Sequence, residues 1–183
     1  VAEVGERAGL EVSRNGAIVD QAEQTTAPVG ELIGVAVAMI VLTLVFRSVA
    51  AMALTLISSL IALAGGLLLL QFGSAFADFP SFAPTLGVML GLGAGIDYAL
   101  LIVGRYREQL ASGDSVAQSA RVANATAGTS VVAAGAIVVV AISGLLATGI
   151  PFVGRMGVAT AVVVATVAVG AVTLLPALLA AAA

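Results

Sequence analysis

Two adjacent residues carry most of the chemistry this sequence offers. Asp97 lies inside a stretch from Phe82 to Gly104 that is otherwise uncharged, with Tyr98 beside it. If that stretch is a helix, Asp97 sits roughly 6 Å from its centre, at about 1.5 Å per residue. An ionised Asp near the middle of a bilayer costs about 2.5–3.5 kcal/mol on insertion scales. Protonation or a partner lowers that cost, and a group that switches between the two under a gradient carries protons. A structural role, in which Asp97 bonds a neighbouring helix, is the alternative. Tyr98 is turned about 100° from it. Its hydroxyl either joins a relay by bonding an acid on a facing helix or satisfies itself locally. Gly87, Gly91 and Gly95 recur at four-residue spacing on the same segment, which lets another helix backbone approach closely. Gly87, Gly91, Ala94 and Tyr98 project onto roughly one face, with Asp97 towards Gly93. Packing is the expected role of the glycines, burying Asp97 away from lipid. Thr126, Ser130 and Ala134 make a comparable ridge further on.

The elements that position these residues are membrane helices. Of the 183 residues, 61% are hydrophobic and 9% charged, against about 25% charged in a soluble domain. A soluble globular fold is excluded. Five apolar stretches follow one another: 32–46, 49–72, 82–104, 122–148 and 156–180. A bilayer needs ~20 helical residues. The first stretch is short at 15, but residues 27–31 can extend it, and the fourth is long enough to tilt. None alternates as a barrel strand does. The fold class is therefore all-α, a polytopic bundle of five transmembrane helices with a short extracytoplasmic stub. Residues 28–183 form the bundle. Residues 1–27 hold a short strand pattern, an Asn15-Gly16 turn and a linker, and the opening at Val1 reads as mid-pattern, as in a piece of a larger protein.

Charge placement gives orientation. Residues 1–31 hold six acids and two Arg, so the acidic balance belongs to the polar segment. Arg47, Arg105, Arg107 and Arg121 fall in loops on one side, Arg155 on the other, which places the Arg-rich side in the cytoplasm. The longer of these loops is expected from Arg105 to Arg121. Pro151 is expected in a loop and Pro176 at a helix end. The sequence contains no Cys or His, which removes disulfides, thiolate metal sites and the commonest base. It offers no nucleotide loop, metal cluster or nucleophile–base pair, so neither an enzyme nor a cofactor is expected, and no nucleic acid partner.

The run Gly91-Leu92-Gly93-Ala94-Gly95-Ile96-Asp97-Tyr98-Ala99-Leu100, followed by Arg105-Tyr106-Arg107-Glu108, resembles the MMPL family. These are the mycobacterial-membrane-protein-large-like transporters of the resistance-nodulation-division superfamily. Glu31 to Gly34, Val45 to Ser48, Ala125 to Gly128, Ile150-Pro151-Phe152, Met156-Gly157 and Thr173 to Leu179 add to the resemblance, which covers about residues 28–180. Leu101 stands where the family usually has Phe. The resemblance implies two pseudo-repeated halves of six helices, with these five spans as helices two to six of the N-terminal half. Residues 1–27 then look like the tail of a porter domain. It also implies that Asp97 and Tyr98 are the proton relay, facing a matching Asp-Tyr pair in the second half. The implied function is export of lipids or hydrophobic compounds, driven by the proton-motive force, across a bacterial plasma membrane. Membrane lipid and a hydrophobic substrate are the implied partners, and a homo-oligomer stays open. Two other functions remain beside it: a SecDF-like subunit of protein translocation, and a non-transporting lipid-sensing scaffold.

Overall fold

A computed structural model describes residues 33, 34, 36, 37, 39, 40, 43 and 49–181. The stub and most of the first apolar stretch lie outside the described residues. Those described between Ile33 and Ile40 are helical and belong to a separate unit from the residues that follow Leu42. From Val49 on, the chain forms α1 (Val49–Gly73), α2 (Ala83–Ala111), α3 (Val116–Ala123), α4 (Thr129–Ser143) and α5 (Pro151–Ala181). A π-helical turn, Asn124–Gly128, joins α3 to α4 without a break, and a 3₁₀ turn, Gly144–Thr148, follows α4. Among the described residues there is no strand, and four helical segments are long and apolar enough to cross a membrane. The five spans and the stub expected above are thus seen only as four spans.

The spans are Ala51–Gly73, Ala83–Ala111, Val116–Thr148 and Pro151–Ala181, the last three of 29 to 33 residues. At about 1.5 Å per residue, those three exceed a ~30 Å hydrocarbon core, so their ends project beyond it. The expected loop from Arg105 to Arg121 is corrected accordingly. Helix continues to Ala111 and resumes at Val116, so Arg105, Arg107 and Arg121 ride on helical extensions. The reversal needs four residues because Gly113 takes φ +97°, a left-handed conformation that spares glycine the Cβ clash. Ser115 then caps α3 by accepting from the Gln118 amide. At the opposite end Gly149, with φ +72°, closes the 3₁₀ turn, and Pro151 opens α5 rather than lying in a loop. Pro176 is likewise inside α5, not at its end. Its missing amide and ring are tolerated because neighbouring helices support a membrane helix around such a break.

α5 is the centre of the bundle, packed against α1, α2 and α4. Small and β-branched side chains line it: Ala159, Val163, Val164, Val167, Ala168 and Ala171 are all buried. Close approach follows from small residues on both sides. A Cβ added at Gly170 would collide with Ala62 of α1, and one at Gly135 would stand 2.8 Å from the Ala168 methyl. Lipid tails are as apolar as the core, so such contact replaces the hydrophobic effect as the cohesive force. Arg155 Nη1 donates to the Asp78 carbonyl at 3.4 Å, which brings the α1–α2 turn and the start of α5 to one end.

Candidate functional site

α2 positions the candidate site by showing two unlike faces. Its buried face carries Gly87, Gly91, Gly95, Tyr98, Ala99, Ile102 and Tyr106. A Cβ at Gly87 or Gly91 would lie 3.0 Å from Val163 of α5, and one at Gly95 would lie 2.9 Å from Val167. Gly91 also meets Leu63 at 3.0 Å and Gly95 meets Ser59 at 3.3 Å, both on α1. Gly91 and Gly95 therefore stand where α1, α2 and α5 converge, and Gly87 packs against α5. Gly95 holds this face more fully than Ala94, which is only half-buried.

Tyr98 lies on the same face, 6% exposed. Its hydroxyl is 3.7 Å from the Cβ position of Gly135 on α4, and no donor or acceptor reaches it among the described residues.

Asp97 is on the other face and is exposed. The expectation that glycine packing buries it is corrected: one residue of helix turns Asp97 about 100° from Tyr98, out of the three-helix contact. The ion pairs among the described residues are Arg105–Glu108 and Arg155–Asp78, neither of which includes Asp97. Leu90, Gly93 and Leu101 share this open face, and a Cβ at Gly93 would meet nothing within 4 Å. The carboxyl thus stands at mid-span in an apolar strip, without an ion-pair or hydrogen-bond partner among the described residues.

The ridge expected from Thr126, Ser130 and Ala134 is displaced. Gly128, Val131 and Gly135 are the buried positions, whereas Thr126 and Ser130 are exposed. The π turn accounts for the shift, since one turn of wider winding rotates the positions that follow. Gly128 makes room there, with the Asn124 amide oxygen 2.6 Å from its Cβ position. The Thr126 and Thr129 hydroxyls donate to the Val122 and Thr126 carbonyls at 2.7 and 2.6 Å, drawing off backbone acceptors. Across from Thr126 and Ser130, the open face of α2 bounds a groove of about 490 Å³ with Leu101, Gly104, Arg105 and Glu108. Sequence reasoning missed this groove, because the π turn that brings Thr126 and Ser130 to its wall breaks the regular helical spacing. Among the described residues no cluster of His, Cys, Asp or Glu fits a metal ion.

The family profile of MMPL matches residues 4–183. The chain belongs to the MMPL family. Relatives of this MMPL chain include membrane protein YdfJ of Bacillus subtilis, 36% identical over 93% of the chain and 24% of YdfJ. The trehalose monomycolate exporter MmpL3 of Mycobacterium tuberculosis is 32% identical over 81% of the chain and 16% of that protein. MmpL11 of Mycolicibacterium smegmatis, an exporter of mycolic acid-containing lipids, is 30% identical over 90% of the chain and 17% of its own length. The chain thus spans a quarter or less of the relatives it matches. Family and spans together make it a multi-pass protein of a bacterial plasma membrane.

Proposed function

We propose that this chain is the proton-handling part of an MMPL exporter, with Asp97 as the proton carrier and Tyr98 as its companion in the relay. The observation that carries the reading is the place of Asp97: mid-span, exposed on the open face of α2, and without a partner among the described residues. Ionising such a group costs about 2.5–3.5 kcal/mol, and a proton moving down the membrane potential releases about 2.3 kcal/mol per 100 mV. The two are of one size, so a gradient is able to tip the carboxyl between its states. A facing Asp-Tyr pair from a second half of the protein would meet Asp97 across the open face. The Tyr98 hydroxyl, unbonded against Gly135, is free to find its partner when helices shift.

The transporter is a secondary active one and no enzyme. Its substrate class is lipid or another hydrophobic compound, a reading that the exporters MmpL3 and MmpL11 among its relatives support. The Arg-rich helix ends face the cytoplasm and the Asp78–Arg155 end faces out.

The test is Asp97→Asn in the full reading frame, reconstituted in proteoliposomes under an imposed proton gradient. A fluorescent trehalose monoester serves as transport probe. Asn keeps the shape and removes the proton, so transport stops while insertion and yield stay as they were. Tyr98→Phe lowers the rate less. Full transport by Asp97→Asn would refute the proton carrier; no transport by either form, with lipid binding that needs no gradient, would point instead to the non-transporting scaffold.

A further inference from the structure

We propose that the groove between α2 and the π turn is a water-filled route joining Asp97 to the Arg-rich side of the membrane. This rests on Asp97 as proton carrier and names the path its proton takes.

The groove begins about one helical turn beyond Asp97, at Leu100 and Leu101, and ends at the exposed Arg105–Glu108 pair, closed at 2.7 Å. Eleven residues separate Asp97 from Glu108, about 16 Å along the helix axis, so the groove covers the Arg-rich half of the span. Its volume of about 490 Å³ has room for on the order of ten waters at ~30 Å³ each.

Its lining is mixed, with Leu100, Leu101 and Ala127 beside four polar side chains that can hold water. Ser130 offers a hydroxyl with no protein partner among the described residues. Thr126 donates to the Val122 carbonyl at 2.7 Å, leaving its lone pairs to accept. Glu108 bonds Arg105 through one carboxylate oxygen only. An acyl chain in this space would strip these groups of hydrogen bonds at a cost that water avoids. Gly104 keeps the space open, since a Cβ there would meet nothing within 4 Å. Leu100 and Leu101, the latter 52% exposed, form the apolar step between the carboxyl and the rest of the groove.

The proton leaves the Asp97 carboxyl oxygen for the nearest water, which becomes hydronium and leaves a carboxylate. The excess proton then passes from water to water beside Ser130 and Thr126. It reaches bulk solvent at the Arg105–Glu108 mouth, and the hydroxyls end with the protons they began with.

The chain contains no cysteine, which suits accessibility mapping. In the full reading frame, with any other cysteines replaced, Gly104→Cys and Ser130→Cys are each treated with a charged, membrane-impermeant thiosulfonate from the Arg-rich side. Ile137→Cys and Val140→Cys, 69% and 71% exposed at the wild-type residues but about two turns or more deeper along α4 and outside the groove lining, are the controls. Groove positions react at least ~100-fold faster than the controls, because the thiolate forms only where water reaches it. Equal rates overturn the proposal. Gly104→Leu, which fills the groove, lowers proton flux into pyranine-loaded proteoliposomes about tenfold by drying the path. The double variant Thr126→Val, Ser130→Ala lowers it in the same direction without added bulk. If both leave flux unchanged, the route is wrong. An inactive Asp97→Asn with unlabelled groove cysteines refutes the groove alone, whereas an active Asp97→Asn refutes the proton carrier itself.

Discussion

Gly93 and Gly95 are two residues apart on one helix, and the bundle treats them oppositely. An alanine at Gly93 would meet nothing within 4 Å. An alanine at Gly95 would place its methyl 2.9 Å from Val167 Cγ1 and 3.3 Å from Ser59 Cβ and Oγ. Carbon atoms rest at about 3.5–4.0 Å, so the first contact is short by at least ~0.6 Å. Val167 is 1% exposed and also bounds the Gly91 site at 3.6 Å, so its methyl has no free space to enter. Overpacking of this kind costs about 1–3 kcal/mol, and glycine-to-alanine in a helix returns up to ~1 kcal/mol. The net expectation for Gly95→Ala is a loss of about 1–2 kcal/mol, while Gly93→Ala is neutral or gains up to ~1 kcal/mol. Unfolding of this 183-residue chain in mixed micelles by graded SDS separates the two. Equal midpoints for both variants would refute the packing argument, as would a Gly95→Ala variant more stable than wild type. Gly87→Ala and Gly91→Ala share Val163, so their double variant departs from additivity.

The Ser119 hydroxyl is fully buried with no hydrogen-bond partner among the described residues, so Ser119→Ala removes a desolvated group and stabilises by up to ~1 kcal/mol in the same titration. Arg155 and Asp78 meet at 4.0 Å with the Asp78 side chain 98% exposed, a geometry that water screens. Arg155→Gln therefore leaves the melting temperature unchanged, measured by thermal scanning in detergent. Gly149→Val forces a β-branched residue to φ +72°, so the end of α4 opens and exchanges its amide hydrogens faster by mass spectrometry.

Composition alone determined that the chain lives in a membrane, and charge position alone picked out Asp97. Both follow from a single energetic rule: a charge in hydrocarbon is too costly to occur without a reason. The four-residue glycine spacing was also legible, because helical geometry maps sequence distance onto a face. Which face meets which helix was not. In a soluble helix the apolar side reveals the core, but here exposed Ile137 and Val140 are as apolar as buried Val163 and Val167. The sequence pattern therefore carried no mark of α5 as the central helix or of Gly135 as the contact beneath Tyr98. The π turn at Asn124–Gly128 moved the ridge of α4 off the line that a regular helix predicts. Pro151 and Pro176 read as breaks, yet both lie within α5, because the first turn of a helix has spare amide positions and neighbouring helices support the second. The sequence by itself determined that one acid is isolated in the membrane. Only the tertiary structure decided that it faces outward while its neighbour Tyr98 faces in, since that choice depends on which sides of α2 the other helices cover.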